Sequence, residues 1–166
     1  MRLNPYQKIL NNKRKWTPVQ TTAGQLKEGS EATIRRALAM RHMELPVGEF
    51  IKETLKGEFP EAARELLLSN VKDEENHDVA LGYAANAIGV DPQSELEALR
   101  LRKAWEDHPD HTITKALVAE RSIFFVLLPF FRFCGDAGLR TTSADVSRDE
   151  VGHVLTNTIV CREMGL

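Results

Sequence analysis

Apolar side chains recur at helical spacing along four runs of the 166-residue chain, and in each run an acidic residue sits among them. The first run spans Glu31 to Lys56, with Ser30 as its N-cap. At about 100° per residue, Thr33, Ala37, Met40, Val47, Ile51 and Leu55 gather on one side, and Glu31, Arg35, His42, Glu49 and Glu53 on the other. Glu44 falls within the apolar side, and Pro46 just after it predicts a kink or break. Gly57 and Pro60 lead into a second run, Glu61 to Ile88, which Gly89 stops. Here Ala63, Leu67, Leu81, Ala85 and Ile88 share a face with Glu74 and His77. A third run, Thr112 to Phe133, sets Glu120 among Ile113, Leu117, Ile123, Phe124, Leu127 and Phe131, and Pro129 predicts a bend near its end. The fourth starts from Ser143 as a cap and reaches about Glu163, with Val146, Asn157, Val160 and Met164 on the face of Glu150 and His153.

The intervening segments have no such period. Residues 1–29 carry Asn4-Pro5, Asn11-Asn12, Pro18 and Gly24 and are predicted to be an irregular arm, pinned to the rest by Trp16. Its cluster Lys13-Arg14-Lys15 is too short for a polyanion site and reads as a solvated patch. Residues 91–110 hold a short helical stretch, Ser94 to Trp105, that joins the two halves. His108 and His111, in the turn-rich end of that connection, read as solvated. The organisation is therefore an arm, 1–29, and one all-α domain, 30–166, expected to be a four-helix bundle with a crossover between two helix pairs.

Composition narrows the functional classes. A 42% hydrophobic content suffices for one substantial core, and a formal net charge of -2 predicts no nucleic-acid partner. Cys134 and Cys161 lie far apart without C-x-x-C spacing, which argues against a zinc ribbon or a disulfide scaffold. The apolar stretch Ile123 to Phe131 is far shorter than the ~20 residues of a membrane span and reads as core. The start Met-Arg-Leu-Asn-Pro lacks an apolar run, so the expected location is cytoplasmic.

Against that background the repeated Glu-x-x-His, Glu74/His77 and Glu150/His153, carries the chemistry. Residues three apart on a helix project from one face, so each pair offers a carboxylate and an imidazole to a common point. An inward glutamate precedes each pair by thirty residues, Glu44 before Glu74 and Glu120 before Glu150. The register agrees: at about 1.5 Å per residue Glu44 lies about 18 Å before Lys56, and Glu74 about 20 Å beyond Glu61. Four carboxylates among apolar side chains would each cost several kcal/mol unless paired or metal-bound. Glu44, Glu74, His77, Glu120, Glu150 and His153 are therefore predicted to hold two metal ions. Oxygen and imidazole donors without thiolate favour iron or manganese over structural zinc. Asp149 is predicted to accept an imidazole N–H, bridged to Arg148, and Leu81, Ile123, Phe124, Leu127 and Val146 to surround the ions as an apolar pocket.

The order Glu, Glu-x-x-His, Glu, Glu-x-x-His over residues 30–164 resembles the ferritin-like superfamily of di-iron carboxylate proteins. Arg148-Asp149-Glu150-x-x-His153, and Glu120 before a Phe-rich run, look like the radical-generating subunit of class I ribonucleotide reductase and the hydroxylase of bacterial multicomponent monooxygenases. The resemblance implies a four-helix bundle, two irons and activation of dioxygen. This chain is much shorter than those subunits, and Leu81 stands where the reductase subunit carries its radical tyrosine. Three functions follow as expectations: a di-iron oxidase or oxygenase acting on a small apolar substrate, a ferroxidase, or a non-catalytic metal-binding bundle. The first needs an external electron donor, and a bundle this short is expected to form a homodimer.

Overall fold

Every regular element in the computed structural model, which describes residues 4–166, is helical, and no strand occurs among those residues. The arm contributes α1 (Pro5–Asn12), followed by α2 (Glu31–Ala37) and α3 (Glu44–Thr54). The long α4 (Arg64–Ile88) leads to α5 (Pro92–Glu106) and α6 (Thr112–Ser122). The chain closes with α7 (Leu128–Cys134) and the longest helix, α8 (Ala137–Met164).

Four expectations about these elements are corrected. The arm is not wholly irregular: Asn4 accepts from Gln7 N, Pro5 supplies a preset φ at the first helical position, and buried Tyr6 gives α1 an apolar anchor. Residues 31–56 are not one kinked helix, because Leu38–Met43 tighten into a 3-10 segment between α2 and α3. Pro46 is not the break; it lies in the first turn of α3, where a missing N–H removes no intrahelical bond. Between α6 and α7 the opposite distortion occurs, a π-helical segment at Ile123–Leu127. Its wider turn lets the helix continue past Pro129, which could not donate to a regular ladder. Finally, α8 begins before Ser143. Asp136 caps it by accepting from Leu139 N at 2.8 Å, while Ser143 donates to Leu128 O at 2.8 Å from inside the helix.

α3 packs on α4 and α6, and α8 packs on α4, α6 and α7. One apolar cluster joins Val47, Phe50 and Ile51 of α3 to Leu66, Leu67 and Val71 of α4, Ile113 of α6 and Val160 of α8. A second joins Ile34 and Leu38 to Leu81 and Ala84 of α4, Phe131 of α7 and Leu139 of α8. Along both α4 and α8 these clusters are separated by a buried polar layer, residues 73–77 on α4 and 149–153 on α8. The connecting helix α5 lies against the 3-10 segment, where Glu95 accepts from Arg41 and meets His42, each at 3.2 Å. No described helix is long and apolar enough to cross a membrane.

Asp136 does double service, since its second oxygen accepts from Gly24 N of the arm at 2.8 Å. Asp136→Ala removes both bonds and is expected to destabilise the chain by about 1–2 kcal/mol, read as a lower urea midpoint at unchanged slope. An unchanged midpoint would show that neither bond holds the start of α8.

Candidate metal centre

The six predicted ligands converge. Glu44 opens α3, Glu74 and His77 lie mid-way along α4, Glu120 ends α6, and Glu150 and His153 lie mid-way along α8. All six are buried, none more than 1% exposed. Around Nδ1 of His77 stand Glu44 Oε2 at 3.5 Å, Glu74 Oε2 at 3.5 Å and Glu150 Oε1 at 3.4 Å. Around Nδ1 of His153 stand Glu74 Oε1 at 2.8 Å, Glu120 Oε1 at 3.6 Å and Glu150 Oε2 at 3.8 Å. Glu74 and Glu150 thus give one oxygen to each imidazole, while Glu44 serves only the first and Glu120 only the second.

Those contacts are not hydrogen bonds. Both oxygens of Glu44, Glu74 and Glu150, Oε1 of Glu120, and Nδ1 of both histidines are buried without a hydrogen-bond partner. Buried polar atoms are ordinarily paired, so a concentration of orphans at one point calls for a missing partner. Ligands held about 2.1 Å from a common cation lie about 3.0–3.4 Å from one another, near the spacings found here. Glu74, His77, Glu150 and His153 each offer a donor atom within 4.8 Å of the others. The donor set fits: this buried group of two glutamates and two histidines could bind a metal ion pair, and Glu44 and Glu120 each stand beside one of its imidazoles.

The outer nitrogens fix which lone pair faces inward. Nε2 of His77 meets Asp149 Oδ2 at 3.1 Å, and Nε2 of His153 meets Asp73 Oδ2 at 2.9 Å. With Nε2–H donated to a carboxylate, Nδ1 is the nitrogen that faces the cluster and the one a metal would take once its proton is displaced. The arrangement is crossed, because Asp149 of α8 orients the histidine of α4 and Asp73 of α4 orients that of α8. The arm then covers both aspartates. Trp16 donates its indole N–H to Asp149 Oδ2 at 2.7 Å and stacks on His77 with centroids 6.2 Å apart. Lys13 pairs with Asp73 and donates to Asn70 Oδ1 at 2.8 Å.

Electrostatics respond to four carboxylates meeting in a dry interior. Burial pushes the Glu44 carboxyl up to about 8, against the pull of His77. Burial likewise raises Glu150, and raises Glu120 well above the usual carboxylate range. Burial also acts to raise Glu74, but the His153 and His77 imidazoles outweigh it and hold that carboxyl at about 2. Burial opposes charge on the imidazoles too, yet the carboxylates around them raise both well above the ordinary histidine value. Asp73 is lowered because His153 and Lys13 together overcome its burial. Without a cation, the cluster balances its charge by retaining protons, which a metal would have to displace.

Several placements differ from expectation. Arg148 does not bridge to Asp149; exposed on α8, it pairs with Asp145 at 2.9 Å. Lys13 is not a solvated residue, because the turn after α1 carries it inward to Asp73, whereas Arg14 and Lys15 are exposed. The five pocket residues do not surround one space. Ile123 and Leu127 line a cavity of about 280 Å³, Phe124 lines a separate outer groove, and Leu81 and Val146 are close-packed in core clusters. His111 is not merely a solvated connector, since its Nδ1 accepts from Ile113 N and caps α6. Asp73 and Asn157, which donates to Glu120 Oε2, were not singled out. Asp73 had a signal, since Asp-Glu-x-x-His occurs in full at both 73–77 and 149–153. No family model, curated protein or solved structure matches this chain.

The raised Glu44 carboxyl fixes a pH dependence. Unfolded, this group ionises near 4.5, so folding without metal keeps a proton on it and stability falls as pH rises from about 4.5 toward 8. Metal-free Glu44→Gln, neutral throughout, is expected to be more stable than the wild type by roughly 1–3 kcal/mol at pH 7, with the difference vanishing below pH ~4.5. Urea titrations in chelator test this, and equal stability at pH 7 would refute it. Asp73→Asn and Asp149→Asn each remove an outer carboxylate charge and are expected to weaken metal binding about 10–100-fold in competition with a chromophoric chelator. Undiminished affinity in both would show that the aspartates do not tune the site.

Proposed function

We propose that the chain is a ferritin-like four-helix bundle that holds two iron ions and uses dioxygen to oxidise a small apolar molecule. In this reading α3, α4, the α6–α7 unit and α8 are the four helices, and α5 is the crossover. The observation that carries it is the division of the carboxylates into two that face both imidazoles and two that face one each. That division matches a pair of ions with shared and terminal oxygen ligands, which a single structural zinc would not require. Oxygen and imidazole donors without thiolate suit iron, and Cys134 and Cys161 belong to apolar clusters instead.

The chain's own residues prepare the site for oxidation in three ways. Asp73 and Asp149 each hold an Nε2 proton outward, so Nδ1 is the nitrogen turned to the centre. Asn157 holds one oxygen of Glu120, leaving the other toward the centre. The apolar clusters on either side keep the layer dry, which strengthens every electrostatic interaction within it. An iron pair, were it held by these residues, would supply two of the four electrons needed to reduce dioxygen, the substrate supplying the other two as it is oxidised. Repeated turnover would then require an external donor to return two electrons.

The apolar cavity beside α6 favours this reading over iron storage. A cleft of about 300 Å³ between the arm and α8 is lined by Lys13, Arg14, Arg148 and Asp149, with Lys13 and Arg148 already paired to Asp73 and Asp145. The cavity on the other side, near Glu120, is apolar.

Metal analysis of the chain purified without chelator is expected to find about two ions per chain. Glu74→Ala and Glu150→Ala, which remove shared oxygens, are expected to lose both, whereas Glu44→Ala and Glu120→Ala should each lose about one. The ferrous-loaded protein should consume dioxygen stoichiometrically once, and continuously only with reductant and an organic substrate. Absence of stoichiometric metal would refute the site. Continuous oxidation of added ferrous iron without an organic substrate would replace the oxidase reading with a ferroxidase.

A further inference from the structure

One face of the α6–α7 unit is turned to solvent from Val118 to Phe133. Val118, Phe125, Val126 and Phe133 project from it, 44%, 64%, 70% and 68% exposed, with exposed Ser122 and Pro129 between them. Phe125 and Val126 stand side by side at its middle, both in the wider turn of the π segment. Phe124 packs edge-on against Phe125 with centroids 4.8 Å apart, and with Pro129 and Phe133 these rings border the outer groove. Leu101 of α5, 46% exposed, extends the face beyond Val126, where both line the cavity of about 280 Å³.

The amount of bare apolar surface decides what this face can hold. At about 150–250 Å² for a large apolar side chain, the exposed fractions of Val118, Phe125, Val126, Phe133 and Leu101 amount to roughly 500 Å². The largest patch on a soluble monomer is ordinarily about 300–600 Å², so this one stands in the upper part of that range. A stable interface buries about 800 Å² per partner, and between identical subunits about 65% of it is apolar, which is again roughly 500 Å². The face therefore supplies the apolar core of one standard interface.

Its pattern is self-complementary. Val118 and Phe133 lie equally far from the Phe125–Val126 step, and so do Ser122 and Pro129. A twofold axis through that step lays the stripe of one copy antiparallel on that of another, with Val118 against Phe133 and Ser122 against Pro129. Such a contact uses one patch twice and closes on itself. Exposed Arg121 and Arg132 flank the stripe, and Lys27 lies 3.5 Å over the Phe133 ring, so cations gather at the rim and the pairing rests on apolar contact. We infer that the chain forms a twofold homodimer through the outer face of the α6–α7 unit, with Phe125 and Val126 of both copies at the axis. None of these side chains belongs to the metal cluster, and the pairing holds whether or not the centre is oxidative.

Sedimentation equilibrium of the full chain as purified is expected to show monomer and dimer with a Kd of about 10 μM or below, and tighter pairing at high salt, which screens the cationic rim. Phe125→Ser and Phe133→Ser, both at exposed positions, should each weaken the dimer about thirtyfold or more. Leu68→Ser, at a site 53% exposed on α4, should leave it unchanged. Oxidative crosslinking reads the register: Val126→Cys should link to itself across the axis, whereas Val118→Cys should link to Phe133→Cys in a mixture of the two variants and not to itself. A chain that stays monomeric at about 100 μM, well above the expected Kd, overturns the inference, as does a dimer that Phe125→Ser leaves intact. Crosslinking of Val118→Cys to itself would overturn the antiparallel pairing. A monomer that binds phosphatidylglycerol vesicles through Phe125 and Phe133 would overturn the dimer and assign the face to a lipid surface.

Discussion

Four carboxylates brought together in a dry interior are the constraint on which this structure depends. Each would cost several kcal/mol to bury unpaired, and here seven of their eight oxygens have no hydrogen-bond partner. Their mutual repulsion has two remedies, retained protons or cations. The upward displacement of Glu44, Glu120 and Glu150 beside a depressed Glu74 is the first remedy at work. The second restores charge balance without protons, since two divalent ions match four carboxylates. The layer is unfavourable for the empty fold and therefore well suited to capturing cations.

The surroundings follow from holding that layer in place. α4 and α8 run through it as long, uninterrupted helices, so Glu74 with His77 and Glu150 with His153 are set by backbone geometry alone. Apolar clusters on both sides keep water out and fix the spacing between the helices. The arm completes the enclosure, because Lys13 and Trp16 each satisfy one of the two aspartates that orient the imidazoles. Removing the arm would leave both aspartates short of a partner.

What could be read from the sequence divides along physical lines. The all-helical character was legible, as were the six converging side chains, because period and three-residue spacing are local properties of a helix. Asp73 was missed although it stands before Glu74 just as Asp149 stands before Glu150. Its partner, His153, lies on another helix, and only the packing of α4 against α8 joins them. The 3-10 and π segments were missed for a related reason. Sequence period assumes constant turn geometry, and these segments depart from it where tertiary packing demands. The expected pocket failed on the same point: the space near Ile123 and Leu127 opens because the helices are distorted there, which no wheel drawn at constant angle can show. Trp105, in a connection read mainly as a linker, acquires its place only once α5 lies against the 3-10 segment.

The two halves of the centre are related by pattern but not by environment. Each consists of a terminal glutamate, an imidazole on one long helix and an aspartate from the other. Yet the aspartate behind His77 receives a neutral indole N–H, whereas the aspartate behind His153 receives a lysine ammonium. Asn157 holds Glu120, while both oxygens of Glu44 have no hydrogen-bond partner. A cationic partner withdraws charge from Asp73 and, through it, reduces the basicity lent to His153; the indole does so less at Asp149. The ion beside His77 would therefore meet the more electron-rich imidazole and the freer terminal carboxylate. An ion pair bound here would thus meet two unequal sets of ligands, with the terminal carboxylate fixed by Asn157 on one side and free of hydrogen bonds on the other.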